Sequence, residues 1–245
     1  MPEAKRKGKK WAILAVVLVL IAAAGAGMWK WHEAPSFCST MCHIEQTYVD
    51  NYMQEQNAGG TDKYGNAVTN TNALMAVLHR ETDATAKPEL LCVDCHIPNM
   101  MELASDGVHF VSGSYPMPRN ERMAEGLMSW DGKEGSEFCV NENCHVYLRG
   151  ADGLVDKAEL EKSTAAKAVQ TGFNPHEQHH EGIDMSCTSC HKGHRASVLM
   201  CTSCHEHEDV TLPDGWVTAA ESNELMTEQF PGYYNETYKS LPRAS

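Results

Sequence analysis

Residues 187–205 read CTSCHKGHRASVLMCTSCH, so the pentapeptide Cys-Thr-Ser-Cys-His occurs twice in quick succession. Working outward, the same ending recurs at Cys139-VNEN-Cys144-His145, Cys92-VD-Cys95-His96 and Cys38-STM-Cys42-His43. With Cys187, Cys190 and His191, and Cys201, Cys204 and His205, these five pairs use all 10 cysteines. A histidine follows every second cysteine, although His fills only 13 of 245 positions. Covalent haem attachment requires this arrangement. Two thiols add across the two vinyl groups, and the adjacent imidazole ligates the iron.

Zinc would use paired cysteines but has no need of a histidine behind each pair. A disulfide framework explains the even count and not the histidines. The chain is therefore read as carrying five covalent haems c, with His43, His96, His145, His191 and His205 as proximal ligands. The longer spacers at Cys38 and Cys139 are expected to bulge outward while both sulfurs still reach the ring. Aromatic residues are only 7% of the chain, too few for a side-chain core of ordinary size. Haem faces supply the missing apolar interior, and strand signals are sparse. The expected fold is mainly α with much irregular structure, a multihaem cytochrome c wrapped around its haems behind one N-terminal transmembrane helix.

Lys5, Arg6, Lys7, Lys9 and Lys10 precede an uncharged run from Trp11 to Met28, which Trp29 and Trp31 close. Such a run spans the hydrocarbon core of a membrane, and basic residues ahead of it stay on the cytoplasmic side. A cleaved signal, cut near Ala24-Gly-Ala-Gly27, is the alternative. The expected organisation is a cytoplasmic basic stub (1–10), a transmembrane anchor (11–29), an extracytoplasmic pentahaem domain (30–205) and an acidic C-terminal tail (206–245). The protein is thus expected in the cytoplasmic membrane, single-pass, with its C-terminal domain on the outer side. The net charge of −13 excludes a nucleic-acid binder, which needs a basic face. Removing residues 1–30, with six basic residues and one acid, leaves 14 Lys+Arg against 32 Asp+Glu. An acidic exported face suits a partner with basic contacts.

Eight histidines remain for the other side of each iron. His79 lies ahead of the second pair, and His176, His179 and His180 lie ahead of the fourth. His194 stands three residues after His191, too close to cap the same iron, and is expected to reach a neighbouring one. His32 abuts the anchor and reads as interfacial, while His207 sits too near His205. Met41, Met100 and Met101 offer thioether ligation, which raises a haem's potential relative to two histidines. Elsewhere, 44–57 reads as a helix, 59–72 as an exposed polar insertion and 71–80 as a helix delivering His79. Residues 151–170 read as a solvated helix ending at Gly172, and the tail as a loose wrap over the last haem.

These residues resemble the NapC/NirT family of membrane-anchored multihaem cytochromes, which includes the small subunit of cytochrome c nitrite reductase. The likeness rests on Phe37-Cys38…Cys42-His43 close to the anchor, on His79 followed by Cys92-Val-Asp94-Cys95-His96-Ile-Pro98, and on Ser105-Asp106-Gly-Val-His109-Phe-Val-Ser-Gly113. It continues through His176 to His194 with Cys187-Thr-Ser-Cys190-His191-Lys192-Gly193-His194, and covers residues 10–197 by pattern. It implies oxidation of membrane quinol at the haem nearest the bilayer and relay of electrons to an extracytoplasmic reductase. By the same likeness Asp106 would take a quinol proton, and His79, His109, His179 or His180, and His194 would be distal ligands. The chain departs from the pattern in its three-residue first spacer, in Glu45 where the family has Met, and in lacking a Lys between His96 and Arg119. The fifth pair is additional. Ser197-Val-Leu-Met200 before it and Leu212-Pro-Asp-Gly-Trp216 after it resemble the haem domains of flavocytochrome c fumarate reductases, which implies a flavoprotein or multihaem reductase as acceptor. A soluble or anchored periplasmic electron shuttle and a terminal multihaem reductase are the competing readings.

Overall fold

The computed structural model describes residues 3–41, 46–81, 89–97, 100–113, 135–177, 185–204 and 210–229. Its helices are α1 (Glu3–His32), α2 (Pro35–Met41), α3 (Gln46–Tyr52), α4 (Met75–Leu78), α5 (Cys92–Cys95), α6 (Met100–Ser112), α7 (Ser136–Cys139), α8 (Lys157–Thr171), α9 (Cys187–Cys190) and α10 (Ala219–Gln229). The strands are two residues each: β1 (Gly60–Thr61), β2 (Ala67–Val68), β3 (Val198–Leu199) and β4 (Val217–Thr218). The fold is mainly α with much irregular structure, as the sequence indicates.

α1 is long and apolar enough to cross a membrane: Lys9–His32 has a mean hydropathy of 2.4, and none of it is buried against the chain. An N-terminal signal sequence meets the same description. Its 24 residues span roughly 36 Å, more than the hydrocarbon core of about 30 Å. The chain then turns at once. Ala34 N–H bonds Trp31 O at 2.9 Å, and Pro35 opens α2 where a missing N–H costs nothing. Phe37 folds back on the end of α1, its ring centre 5.0 Å from Trp31 and 4.8 Å from His32. Cys38 is thereby buried directly behind the apolar helix.

α3 is shorter than the 44–57 expectation, and Asn57 (φ 55°) reverses the chain after it. The following segment is a correction to the exposed insertion expected at 59–72. β1 and β2 form an antiparallel hairpin around Asp62, whose carboxylate accepts from Tyr64 N (2.8 Å), Asn66 N (2.9 Å) and Asn66 Nδ2 (2.9 Å). Asp62, Val68 and Thr71 are buried. The helix expected over 71–80 is also interrupted. A 3-10 turn at Thr71–Ala73, capped by Asn70, gives way at extended Leu74 to the single turn α4.

That break places residues 71–78 against 192–199. Met75 N and Ala76 N donate to the carbonyls of Lys192 (2.8 Å) and Gly193 (2.9 Å), and Ser197 N donates to Ala73 O (3.0 Å). Val68, Ala73, Leu74, Val77 and Ala196 form the core between them, with Trp216 and Val217 against it. Burying each larger aliphatic side chain contributes about 1.5–3 kcal/mol. β3 and β4 pair in parallel, Val198 opposite Val217, so the connection between them carries the fifth cysteine pair. The turn before β4 uses Gly215 (φ 82°), where a Cβ would collide with Asn70 O. A Thr218–Glu221 capping box then starts α10, which buries Met226. Residues 210–229, read as loose tail, thus include core contacts. α8 is the solvated helix expected, and Gly172 (φ 86°) follows its last residue.

Candidate haem sites

The second and fourth pairs have the same local build. One helical turn, α5 or α9, brings two cysteines to one side, and the histidine follows as cap. In both, the histidine N–H donates to the carbonyl of the first cysteine: His96 to Cys92 at 2.8 Å, His191 to Cys187 at 2.9 Å. Asp94 supports the second pair by accepting from Leu91 N at 2.9 Å. The third pair reaches the same closure despite its longer spacer, with His145 N donating to Cys139 O at 3.0 Å. The extra residues are absorbed by Asn141, whose Nδ2 donates to Phe138 O (2.6 Å) and whose Oδ1 accepts from Asn143 N (2.9 Å). Val140 and Asn141 are buried, so the bulge is packed rather than loose. At the fifth pair a 3-10 turn, Met200–Ser203, carries Cys201 and leads into Cys204.

None of the described cysteines of the five pairs is in a disulfide. The pairs also adjoin one another. Cys38 and Cys92 share a side-chain hydrogen bond, as do Cys139 and Cys187; this bond raises Cys38 and Cys139 and lowers Cys92 and Cys187, the last to about 6. Burial, and then the nearby Cys144, pushes Cys95 up to about 12. Burial also raises Cys190, which has Cys201 as a neighbour.

Three of the histidines that follow a cysteine pair each face a second histidine. His145 faces His79 with ring centres 6.0 Å apart, His96 faces His194 at 6.1 Å, and His191 faces His176 at 6.3 Å. Two imidazoles bound to one metal from opposite sides, with metal–nitrogen bonds of about 2.0–2.1 Å and roughly 1.1 Å from nitrogen to ring centre, have centres about 6.3 Å apart. The rings of His96 and His194 and those of His191 and His176 are near parallel (20° and 10°), whereas those of His145 and His79 are near perpendicular (79°). The Nδ1 of each facing histidine meets an oxygen: His79 at Met75 O (2.8 Å), His194 at Asn51 Oδ1 (3.0 Å), His176 at Asn174 Oδ1 (3.3 Å). With Nδ1–H so used, the lone pair sits on Nε2.

Burial favours the neutral form, the one that binds iron, in four of these rings. It lowers His191 to about 4, with His176 nearby, and His194 to about 3, with His96 and Lys63 nearby. His145 and His176 are lowered for the same reason. His145 Nδ1 is buried without a hydrogen-bond partner, a cost that the protein's own atoms do not offset. Paired cysteines outside any disulfide and opposed, buried imidazoles fit haem c.

The sequence profile of the cytochrome c3 family matches residues 142–206. The chain is also similar to cytochrome c-type protein Cgr1 of Eggerthella lenta, with 43% identity over 221 residues that cover 89% of this chain and 92% of the relative. The chain belongs to the multihaem c-type cytochromes. No solved structure matches it. As a multihaem cytochrome it is an electron-transfer protein that holds its haem covalently.

The cytochrome's remaining expected site residues divide by position. Cys42, His43, His179, His180 and His205 lie outside the described residues, as does His207. Asp106 stands on α6, and its side chain is outside the described part. His109, on the same helix, is half-buried and belongs to none of the three facing pairs. Met101 is exposed there. Sequence reasoning missed Asn51 and Asn174, because an asparagine signals a turn and nothing in the pattern marks it as the support of a ring. Asn174, two residues before His176, offered the one local cue.

Proposed function

We propose that this cytochrome is a membrane-anchored pentahaem relay that takes electrons from membrane quinol and passes them to an extracytoplasmic reductase. The observation that carries the reading is the order in which the cysteine pairs adjoin. Cys38, behind the apolar helix, neighbours Cys92; Cys95 neighbours Cys144; Cys139 neighbours Cys187; and Cys190 neighbours Cys201. Attachment sites in chain order make a wire with one end at the bilayer.

Bound haem supplies one-electron exchange between ferric and ferrous iron. The chain's own residues do the rest. His79–His145, His96–His194 and His176–His191 would hold three of the haem irons between paired imidazoles, which would leave those irons no place for a substrate. This favours a relay over a terminal reductase. Quinol gives up two protons and two electrons, and Asp106 on α6 serves as a proton acceptor at the membrane end. Lys63, held by its own N–H to His194 O at 2.8 Å, adds positive charge beside the second pair.

The test is quinol oxidation by the intact protein in liposomes, followed as haem reduction, with the mass of the extracted protein counting haems and fixing the N-terminus. Five haems on a full-length chain, rapid reduction by quinol, and slower reduction in Asp106→Asn with all haems retained are expected. A chain beginning after about residue 27 would make it a soluble shuttle, and unchanged quinol rates in Asp106→Asn would remove that residue from the mechanism.

A further inference from the structure

We infer that Asn51 and Asn174 are positioning residues: each fixes the tautomer and ring plane of one distal histidine, His194 and His176, and through it the potential and spectrum of the haem bound there. The inference rests on the axial pairs proposed above. It starts from the orientation of the two amides. Asn51 is 3% exposed, and its Nδ2 donates to Thr61 O at 2.8 Å. A carbonyl accepts only, so the amide nitrogen must lie on that side and Oδ1 must face His194 Nδ1. The ring nitrogen there is consequently N–H. Asn174 is 2% exposed, and its Nδ2 donates to Glu161 O and Thr164 Oγ1, both at 3.0 Å. Its Oδ1 faces His176, accepting from the backbone N at 3.1 Å and lying 3.3 Å from Nδ1, and Thr164 Oγ1 stands 3.2 Å from the same oxygen.

The third distal histidine is held differently. His79 bonds the carbonyl of Met75, one turn back in its own helix, so its ring plane follows the backbone of α4. That pair is near perpendicular, whereas the two amide-held pairs are near parallel. A side-chain amide pinned from elsewhere can set a ring plane that the local backbone does not. Asn51 does so across the chain, 143 residues from His194, and the edge of Tyr48, 5.2 Å from the His194 ring, flanks the same ring.

The acceptor's charge also matters. A neutral amide leaves the imidazole neutral, whereas a carboxylate draws the Nδ1 proton toward itself, makes the ring a stronger donor and stabilises ferric iron. Near-parallel and near-perpendicular axial rings give distinguishable low-spin signals in electron paramagnetic resonance. The expected wild-type spectrum therefore contains two rhombic components and one of much larger anisotropy from the pair His79–His145.

The experiment uses the holoprotein, with haem content measured by mass in each variant. Asn51→Asp, isosteric but charged, is expected to lower the potential of one haem in a redox titration and to leave the others in place. Asn51→Leu is expected to shift one rhombic signal at unchanged haem count. Asn174→Asp should act on a different haem and more weakly, because its contact is longer. His194→Ala separates the two levels of the argument. If it leaves every low-spin signal intact, the axial pair itself is wrong. If it converts one haem to high spin while both Asn51 variants match wild type, the pair stands and the positioning role is overturned. Should the Asn51 variants not fold, Asn174→Asp and Asn174→Leu decide, and wild-type potentials and spectra in both would overturn the proposal.

Discussion

The segments that mount two of the distal histidines and the helix that carries Asp106 are built in opposite ways. Residues 71–79 and 192–199 are laid together by main-chain hydrogen bonds, by the Ser197 hydroxyl and by a small core in which Ala73, Leu74 and Val77 are wholly buried. α6, by contrast, leaves Met101, Val108 and Val111 exposed, spaced by seven and three residues along one face. A chain with few large apolar residues has concentrated them around the segments that carry His79 and His194, and α6 owes little of its position to that core. Rigidity matters at the axial pairs because a displaced imidazole changes both ligation and potential.

The sharpest break of this contrast is Leu74→Ala. Removing a fully buried leucine costs about 2–5 kcal/mol, and here both His79 and His194 hang from the segments it joins. Thermal unfolding of the holoprotein should fall markedly, and low-spin haem should decline before global unfolding; a variant as stable as wild type would show that the haems, not this core, hold the segments. Ser197→Ala comes next. Its hydroxyl donates to Ala73 O at 2.6 Å and accepts from Lys192 N at 3.1 Å, so its loss removes two buried hydrogen bonds while Ala73 O keeps the Ser197 N–H, at about 1–3 kcal/mol. Denaturant titration would read this directly.

Gly215→Ala tests the outer wall of the same core. The residue has φ 82°, and Asp214 beside it accepts from Asn70 Nδ2 at 2.9 Å, so a methyl group must push the turn off residues 69–70. A loss of about 1 kcal/mol or somewhat more is expected, against the gain that Gly→Ala gives at compatible sites. A more stable variant would mean that the turn is not docked as described.

How much of this was legible depended on the kind of signal. Covalent attachment was, because thiol, thiol and imidazole must be adjacent in the chain. The spacer at Cys139 was expected to bulge outward; Glu142 and Asn143 are exposed, but Val140 and Asn141 are buried beneath the main-chain closure. Which histidine faces which was not legible, since His194 and His96 meet across a long stretch of chain and sequence spacing carries no record of that. The stretch 59–72 misled for a definite reason. It is polar, but Asp62 satisfies its own turn's N–H groups, and a self-satisfied turn can be buried where an unsatisfied one cannot. Residues 210–229 misled through their acidity, although the few apolar residues among them, Trp216, Val217 and Met226, are those that pack.

The smallest effect is expected on the other side of the comparison. The double substitution Val108→Ser and Val111→Ser changes two side chains that are 68% and 87% exposed. Neither makes a core contact, so the unfolding midpoint should stay within about 0.5 kcal/mol of wild type, as for surface positions generally. β-branched residues are mediocre helix formers, and serine is comparable, so helix propensity does not disturb the expectation. The informative outcome lies in the pairing with Leu74→Ala. If the double variant is as destabilised as the leucine variant, α6 is held by contacts on its apolar face, and the division between a rigid ligand mount and a lightly held outer helix fails. If it is neutral in stability yet slower in reduction by quinol, the exposed face acts in function and not in folding, which is the arrangement the comparison predicts.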